Sequence, residues 1–185
     1  MMKVYKYKSY DDYVTNQMLA NKRKISWKFK GRDRIKWIKN YKKEATNIIC
    51  HGTRCGIEQQ DFKDLYSEAY VIGTEISDTA TQFPMTIQHD FAVIREEWIG
   101  KFDIIYSNSF DHSFNPDVAI ETWKGQLNST GKMFLEWNVI QNRKSIPADP
   151  VSGNLEEFKD FLNKHNLNIE HVKDFGRGLN ILVCS

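Results

Sequence analysis

The sequence predicts an α/β fold: a three-layer sandwich with helices on both faces of a mostly parallel, seven-stranded sheet that carries an antiparallel C-terminal strand. Three observations predict it. From residue 45 onward, short apolar runs rich in β-branched residues alternate with helix-length amphipathic stretches. Parallel strands need long crossovers, usually helices, and the spacing of these runs supplies them. The chain then closes on two strand-like runs around Gly176-Arg177-Gly178, a hairpin signal that reverses one strand.

Taken in order, residues 9–21 read as a helix, with Ser9 and Asp12 resembling a capping box and Tyr10, Tyr13, Val14, Gln17 and Met18 on one stripe. After the basic Lys22-Arg23-Lys24, residues 33–43 read as a second helix with Asp33 as N-cap and Ile35, Ile38 and Tyr41 inward. Thr46–His51 is the first strand of the main sheet, followed by a glycine turn and a helix over Ile57–Ser67. Ala69–Ile76, Met85–Phe91 and Phe102–Asn108 are the next three strands. Asn115 is an N-cap with Pro116 at the first helical position, and Ala119, Trp123 and Leu127 repeat every four residues behind it. Lys132–Asn138 is the fifth strand, and residues 140–153 read as loop. Asn154 and Glu157 resemble a capping box for the last helix, and Asn168–Phe175 and Gly178–Cys184 form the closing hairpin.

The 185 residues suit one α/β unit over 45–185, preceded by a basic helical extension or lid over 1–44. Residues 1–50 carry 14 Lys/Arg against 4 Asp/Glu, and the rest 12 against 20, an asymmetry that suits either solvated helix faces or an anionic partner. No run approaches the ~20 apolar residues of a membrane span, and the start lacks a signal peptide's apolar core. Three cysteines without framework spacing suit reduced thiols, so a cytoplasmic location is expected.

In open α/β sheets, ligands bind beyond the carboxyl ends of the strands, where strand order reverses. The first strand-to-helix turn there reads His51-Gly52-Thr53-Arg54-Cys55-Gly56, and its glycines let backbone approach a ligand beside a helix N-terminus. Glu75, roughly twenty residues on, ends the second strand, where a carboxylate can accept both hydroxyls of a ribose. Asp90 and Phe91 end the third strand, suited to an adenine amine and to covering its ring. Three strand ends in succession thus each fit one part of an adenosine.

On these residues the stretch from Thr46 to Trp137 resembles the class I S-adenosylmethionine-dependent methyltransferases, whose fold is Rossmann-like. The resemblance implies S-adenosylmethionine as cofactor and S-adenosylhomocysteine as product. By position it gives the cofactor to His51, Gly52, Thr53, Arg54 and Gly56, to Glu75 and Ile76, to Asp90 and Phe91, and to Ser107 and Asn108 after strand four. Trp123–Lys132 is similar to the family's passage from helix to fifth strand, usually Leu-Lys-Pro-Gly-Gly. Two departures stand out: Cys50 replaces the acidic residue usual two places before the first glycine, and Arg54 replaces the middle glycine.

A sulfonium is an activated donor, so positioning and water exclusion dominate, and a base is needed only for a protonated acceptor. His112 is the expected base, with Asp111 orienting it and Glu136 lining the acceptor pocket. No metal is expected, because Cys50, His51 and Cys55 have no second ligand pair. The acceptor expected is a small molecule or saccharide rather than nucleic acid, since Ser107-Asn108-Ser109-Phe110 lacks the Asn/Asp-Pro-Pro-aromatic motif of nucleobase amine methylation. Trp27-Lys28-Phe29-Lys30-Gly31-Arg32 mixes aromatic and basic residues, as a lid or an anion-binding surface does. Two rivals stay open: a catalytically silent module binding RNA or another anionic partner through the basic segment, and an NAD-dependent oxidoreductase using Glu75 on the ribose.

Overall fold

The strand–helix alternation closes into a seven-stranded sheet whose strands, in spatial order, begin at Thr86, Tyr70, Asn47, Phe102, Leu127, Leu179 and Ile169. The computed structural model describes residues 1–28 and 30–185, with Arg143 by its backbone alone. The strands are β2 (Asn47–His51), β3 (Tyr70–Glu75), β4 (Thr86–Gln88), β5 (Phe102–Ser107), β6 (Leu127–Asn138), β8 (Ile169–Asp174) and β9 (Leu179–Cys184). β2 pairs in parallel with β3 and β5, β3 with β4 and β5 with β6, while β9 runs antiparallel to both β6 and β8. The predicted fold class is therefore observed, and strand order reverses between β2 and β5.

Each helix begins where its sequence signal placed it, within a residue or two. In α1 (Tyr10–Lys24), Ser9 Oγ accepts from Asp12 N at 3.1 Å. The reciprocal Asp12 carboxylate reaches Lys8 N at 3.2 Å instead of the Ser9 N–H of a full capping box. α2 (Arg32–Tyr41) starts one residue before the expected Asp33 cap, with Gly31 at its N-cap and no side-chain cap bond. α3 (Ile57–Leu65) follows the glycine turn. In α4 (Pro116–Gln126), Asn115 caps Val118 N at 3.2 Å and Pro116 occupies the position where a missing N–H costs nothing. α5 (Leu155–Lys164) carries the complete Asn154/Glu157 capping box.

Two core clusters flank the sheet. One gathers α4, α5 and the sheet face bearing Ile49, Ile105 and Leu182; the other gathers α2, α3 and the face bearing Ile48, Ile104 and Ile181. Trp123, fully buried, stacks on the His51 ring at 4.7 Å and donates its indole N–H to Phe91 O at 3.0 Å. That pair carries about 2–3 kcal/mol of apolar burial with its polar atom satisfied.

The loop expected at 140–153 contains an unexpected strand: β7 (Val151–Ser152) pairs antiparallel with β1 (Lys3–Val4). Residues 1–44 are thereby tied into the body. β1 joins the small sheet, Ile35 and Ile38 of α2 belong to the second core, and α1 lies across the carboxyl edge of the main sheet. No helix among the described residues is long and apolar enough to cross a membrane, and Cys50 and Cys184 are buried.

Candidate functional site

The glycine turn after β2 is built from left-handed backbone. Gly52 (φ +76°), Arg54 (φ +42°) and Gly56 (φ +72°) all occupy the region that disfavours a Cβ. Gly52 N and Thr53 N both donate to Thr74 O, at 2.9 and 3.0 Å, which folds the turn back over β3. A Cβ on Gly52 would lie 2.5 Å from Ser109 Cβ, so glycine lets the turns after β2 and β5 meet. Ser109 Oγ seals them, with Gly52 O at 2.9 Å and Asn108 Oδ1 at 2.8 Å.

Glu75, at the end of β3, is buried, and its carboxylate accepts from Arg54 N at 3.1 Å and Ser77 N at 2.9 Å. Burial raises its pKa, with those backbone bonds opposing. Asp90 Oδ1 accepts from Ala92 N at 2.8 Å and Oδ2 from the Tyr10 hydroxyl at 2.6 Å. Gly52, Arg54, Glu75, Ile76, Asp90 and Phe91 line one cleft, and α1 supplies its opposite wall through Tyr13, Gln17 and Asn21. This half holds about 60 Å³ of water-accessible space. It continues past Arg54, Ser109 and His112 into a second half of about 660 Å³, walled by Thr53, Glu58, Asn108, Asp111, Glu136 and Asp149 among others.

Several predicted residues do not reach the cleft with their side chains. His51 points into the core, where its ring nitrogens meet Thr74 Oγ1 at 3.0 Å and Gln126 Oε1 at 2.9 Å. Burial lowers its pKa to about 3, so it stays neutral. Ser107 is fully buried and bonds His51 O at 3.0 Å and Ser109 N at 3.0 Å, which makes it a brace between strands. Gly56 serves as the N-cap of α3 rather than as a cleft wall. The Asp111–His112 pair is also corrected. Asp111 Oδ1 stands 3.8 Å from His112 Nε2, too far for a hydrogen bond, and the ring is oriented through Nδ1 by Gln17 Oε1 at 3.0 Å. Trp27 and Lys30 of the aromatic-basic stretch do wall the larger half; Phe29 lies outside the described residues.

Glu58, on the first turn of α3, escaped the sequence reading. It is 4 % exposed; Oε1 accepts from Asn108 Nδ2 at 3.0 Å, and Oε2 has no partner among the described residues. Burial raises its pKa to about 7, against hydrogen bonds and the charge of Arg54. Among the described residues Asn142 Oδ1 and Thr53 Oγ1, on the walls of the same half, are likewise buried without partners, while in the narrower half the Asn21 side chain lies against the Glu75 carboxylate and helps hold its pKa down. Glu136 is engaged: its Oε1 takes Arg34 Nε at 2.6 Å and the Tyr106 hydroxyl at 2.5 Å. Tyr10, Tyr13 and Gln17 of the α1 stripe are legible as a helical face, but nothing local says that this face meets a cleft, and Asn21 lies outside the stripe.

No family model and no curated protein matches the chain. Solved structures do. A SAM-dependent methyltransferase from Aquifex aeolicus superposes with a TM-score of 0.70 at 12 % identity, over 89 % of this chain and 97 % of that one. The 1,6-didemethyltoxoflavin-N1-methyltransferase of Burkholderia thailandensis, solved with 1,6-didemethyltoxoflavin and S-adenosylhomocysteine, gives 0.67 at 13 % identity over 94 % and 84 %. A TehB-like SAM-dependent methyltransferase from Corynebacterium glutamicum gives 0.60 at 14 % over 92 % and 95 %. The chain has the Rossmann-like fold of these SAM-dependent methyltransferases, with its cleft at the carboxyl edge where strand order reverses.

Proposed function

We propose that the chain is a S-adenosylmethionine-dependent methyltransferase acting on a small-molecule or saccharide-type acceptor in a reducing, cytoplasmic setting. The observation that carries this reading is the convergence of Gly52, Glu75 and Asp90 on a single cleft. Donor chemistry fits as well. Glu75 keeps lone pairs beyond its two backbone bonds, and the Asn21 side chain beside it places a second polar group in the same half. Tyr13, Gln17 and Asn21 of α1 wall this half, which makes that helix its gate.

When bound, the cofactor supplies an electrophilic methyl group on a sulfonium. The chain's own contribution is position and exclusion of water. Glu75 and Asp90 hold the nucleoside, and Arg54, in place of the usual glycine, offers a guanidinium to a carboxylate. Residues 1–44 act as the lid, with α1 closing over the nucleoside. The acceptor enters through the wider half beside Glu136 and Asn108. His112 faces it with Nε2: since Nδ1 carries the hydrogen donated to Gln17, Nε2 presents a lone pair that can take a proton from an acceptor.

Titration calorimetry with S-adenosylmethionine, S-adenosylhomocysteine and NAD tests the reading. Binding of the first two is expected; preference for NAD would assign an oxidoreductase. Failure of all three, with salt-sensitive RNA binding, would assign a silent module. Glu75→Ala is expected to weaken S-adenosylhomocysteine by about 1–3 kcal/mol, and unchanged affinity in the folded variant removes its ribose role.

A further inference from the structure

We propose that Glu58 receives the α-ammonium group of the cofactor's amino-acid end, beside Arg54, which takes the carboxylate of the same end. The assignment rests on the methyl-transfer reading and adds to it the residue that selects an amino acid over a bare nucleoside.

The cleft sets the route. Gly52, Arg54, Ser109, His112 and Lys24 wall both of its halves, so a chain leaving a nucleoside held at Glu75 and Asp90 passes between them. Glu58 and Asn108 stand beyond, on the wall of the wider half alone. Glu58 is 4 % exposed, and Asn108 Nδ2 donates to its Oε1 at 3.0 Å. Oε2 is buried and, among the described residues, without a donor. A buried carboxylate oxygen left in that state is costly, and on a cavity wall it marks where a ligand's donor belongs.

The cations already on these walls do not fill that place. Arg54 Nη1 donates to Trp27 O at 3.2 Å, and Arg34 Nε to Glu136 Oε1 at 2.6 Å. Among the described residues neither arginine, nor Lys24 or Lys30 on the same walls, forms an ion pair with Glu58. Glu58 feels the Arg54 charge, yet burial still pushes its carboxyl up to about 7. The other ionisable groups facing it, Glu136 on β6, Tyr106 on β5 and Cys50 on β2, bring no positive charge. An ammonium brings both the charge and the N–H donors that Oε2 lacks.

Arg54 and Glu58 flank the junction between the glycine turn and α3 and offer opposite charges to one cavity. An α-amino acid carries its own opposite charges on groups that share a carbon, so the pair matches it charge for charge. A nucleoside that ends at a thioether offers neither. The proton balance follows. The arriving ammonium keeps its three hydrogens, a protonated Glu58 gives its proton to water, and the ion pair forms. Binding therefore releases protons when Glu58 starts protonated, and affinity for the amino-acid end rises as pH rises toward 7.

The test is calorimetry on the full chain and on Glu58→Gln, with S-adenosylhomocysteine and its deamino analogue, which has hydrogen in place of the amino group. The variant keeps an oxygen for Asn108 Nδ2, which preserves the local fold. At about pH 8, removing the amino group is expected to cost the parent at least about tenfold in affinity. In Glu58→Gln that loss is expected to shrink to about threefold or less. At about pH 6.5, in buffers of different ionisation heat, S-adenosylhomocysteine is expected to release roughly half a proton more than the analogue from the parent. An equal loss of affinity in parent and variant, or equal proton release by the two ligands in the parent, overturns the assignment. If S-adenosylhomocysteine binds without these couplings, the role of Glu58 alone falls. If it does not bind the parent, the methyl-transfer reading falls and takes the assignment with it.

Discussion

Glu58 and His51 both sit at the carboxyl end of β2's neighbourhood, both buried, and they tilt stability with pH in opposite directions. Burial raises the Glu58 carboxyl to about 7, so the folded chain holds that proton more tightly than the unfolded one. Folding is then favoured below the unfolded carboxyl value, and the benefit is lost as pH rises toward 7, a change of at most about 3 kcal/mol. His51 has its pKa lowered to about 3, so its contribution is present above the unfolded imidazole value and is lost as pH falls toward 3. Glu58→Gln keeps an oxygen for Asn108 Nδ2 and removes the ionisable group. The variant is expected to be more stable than the parent at pH 8 by up to about 3 kcal/mol and equal to it near pH 4. Urea unfolding at the two pH values measures this; parallel pH dependences would show that Glu58 ionises freely in the folded chain. Arg54 offers a second residue-level check. Its φ of +42° costs a side chain about 1 kcal/mol, so Arg54→Gly is expected to raise stability by about that amount in the same assay.

At the scale of elements, α1 decides access. The Tyr10 hydroxyl on Asp90 at 2.6 Å is a direct tie between this helix and the strand end assigned to adenine. Tyr10 is 43 % exposed, so solvent competes for the bond and its worth is about 1 kcal/mol. If α1 must lift for the nucleoside, the tie is a cost to binding, and its removal raises the population able to bind. Tyr10→Phe is expected to tighten S-adenosylhomocysteine about fivefold, mainly through faster association in stopped flow; weaker binding would mean that the hydroxyl touches the ligand instead. The same helix shows why the site was only partly legible in the sequence. Gly52, Glu75 and Asp90 could be found because each follows a strand, and strand ends share one edge of a parallel sheet. His51 and Ser107 follow the same logic and fail, because strands buried on both faces give no alternation to say which side a terminal residue takes. Tyr13 and Gln17 are legible as a helical stripe, but no local signal gives that face, or Asn21, a role in a cleft, because the role depends on where α1 lands. β1 and β7, at two residues each, are too short to show any periodicity. Helix starts were the best read, because caps such as Asn115 and Asn154 act within three residues of themselves.

For the whole molecule, residues 1–44 and the sheet are joined at several separate points. β1 pairs with β7, Tyr7 holds Pro147, and Gln17 links α1 both to His112 and to the loop carrying Asp149. A ligand that engages Glu75 and Asp90 beneath a closed α1 must therefore stabilise residues 1–44 together with the sheet, rather than the sheet alone. At ligand concentrations of ~100 times Kd, binding adds about 2.7 kcal/mol to the folded state. For a 185-residue chain that corresponds to a rise in Tm of about 5–11 °C. The expected result is one cooperative calorimetric transition, shifted by that amount with S-adenosylhomocysteine and unshifted with NAD. Amide exchange should slow in α1 as well as in the turns after β2 and β3. A shifted sheet transition that leaves α1 exchanging at its ligand-free rate would show that the helix is bystander rather than lid. Separate transitions for residues 1–44 and the remainder would show that the N-terminal elements dock on the sheet without sharing its stability.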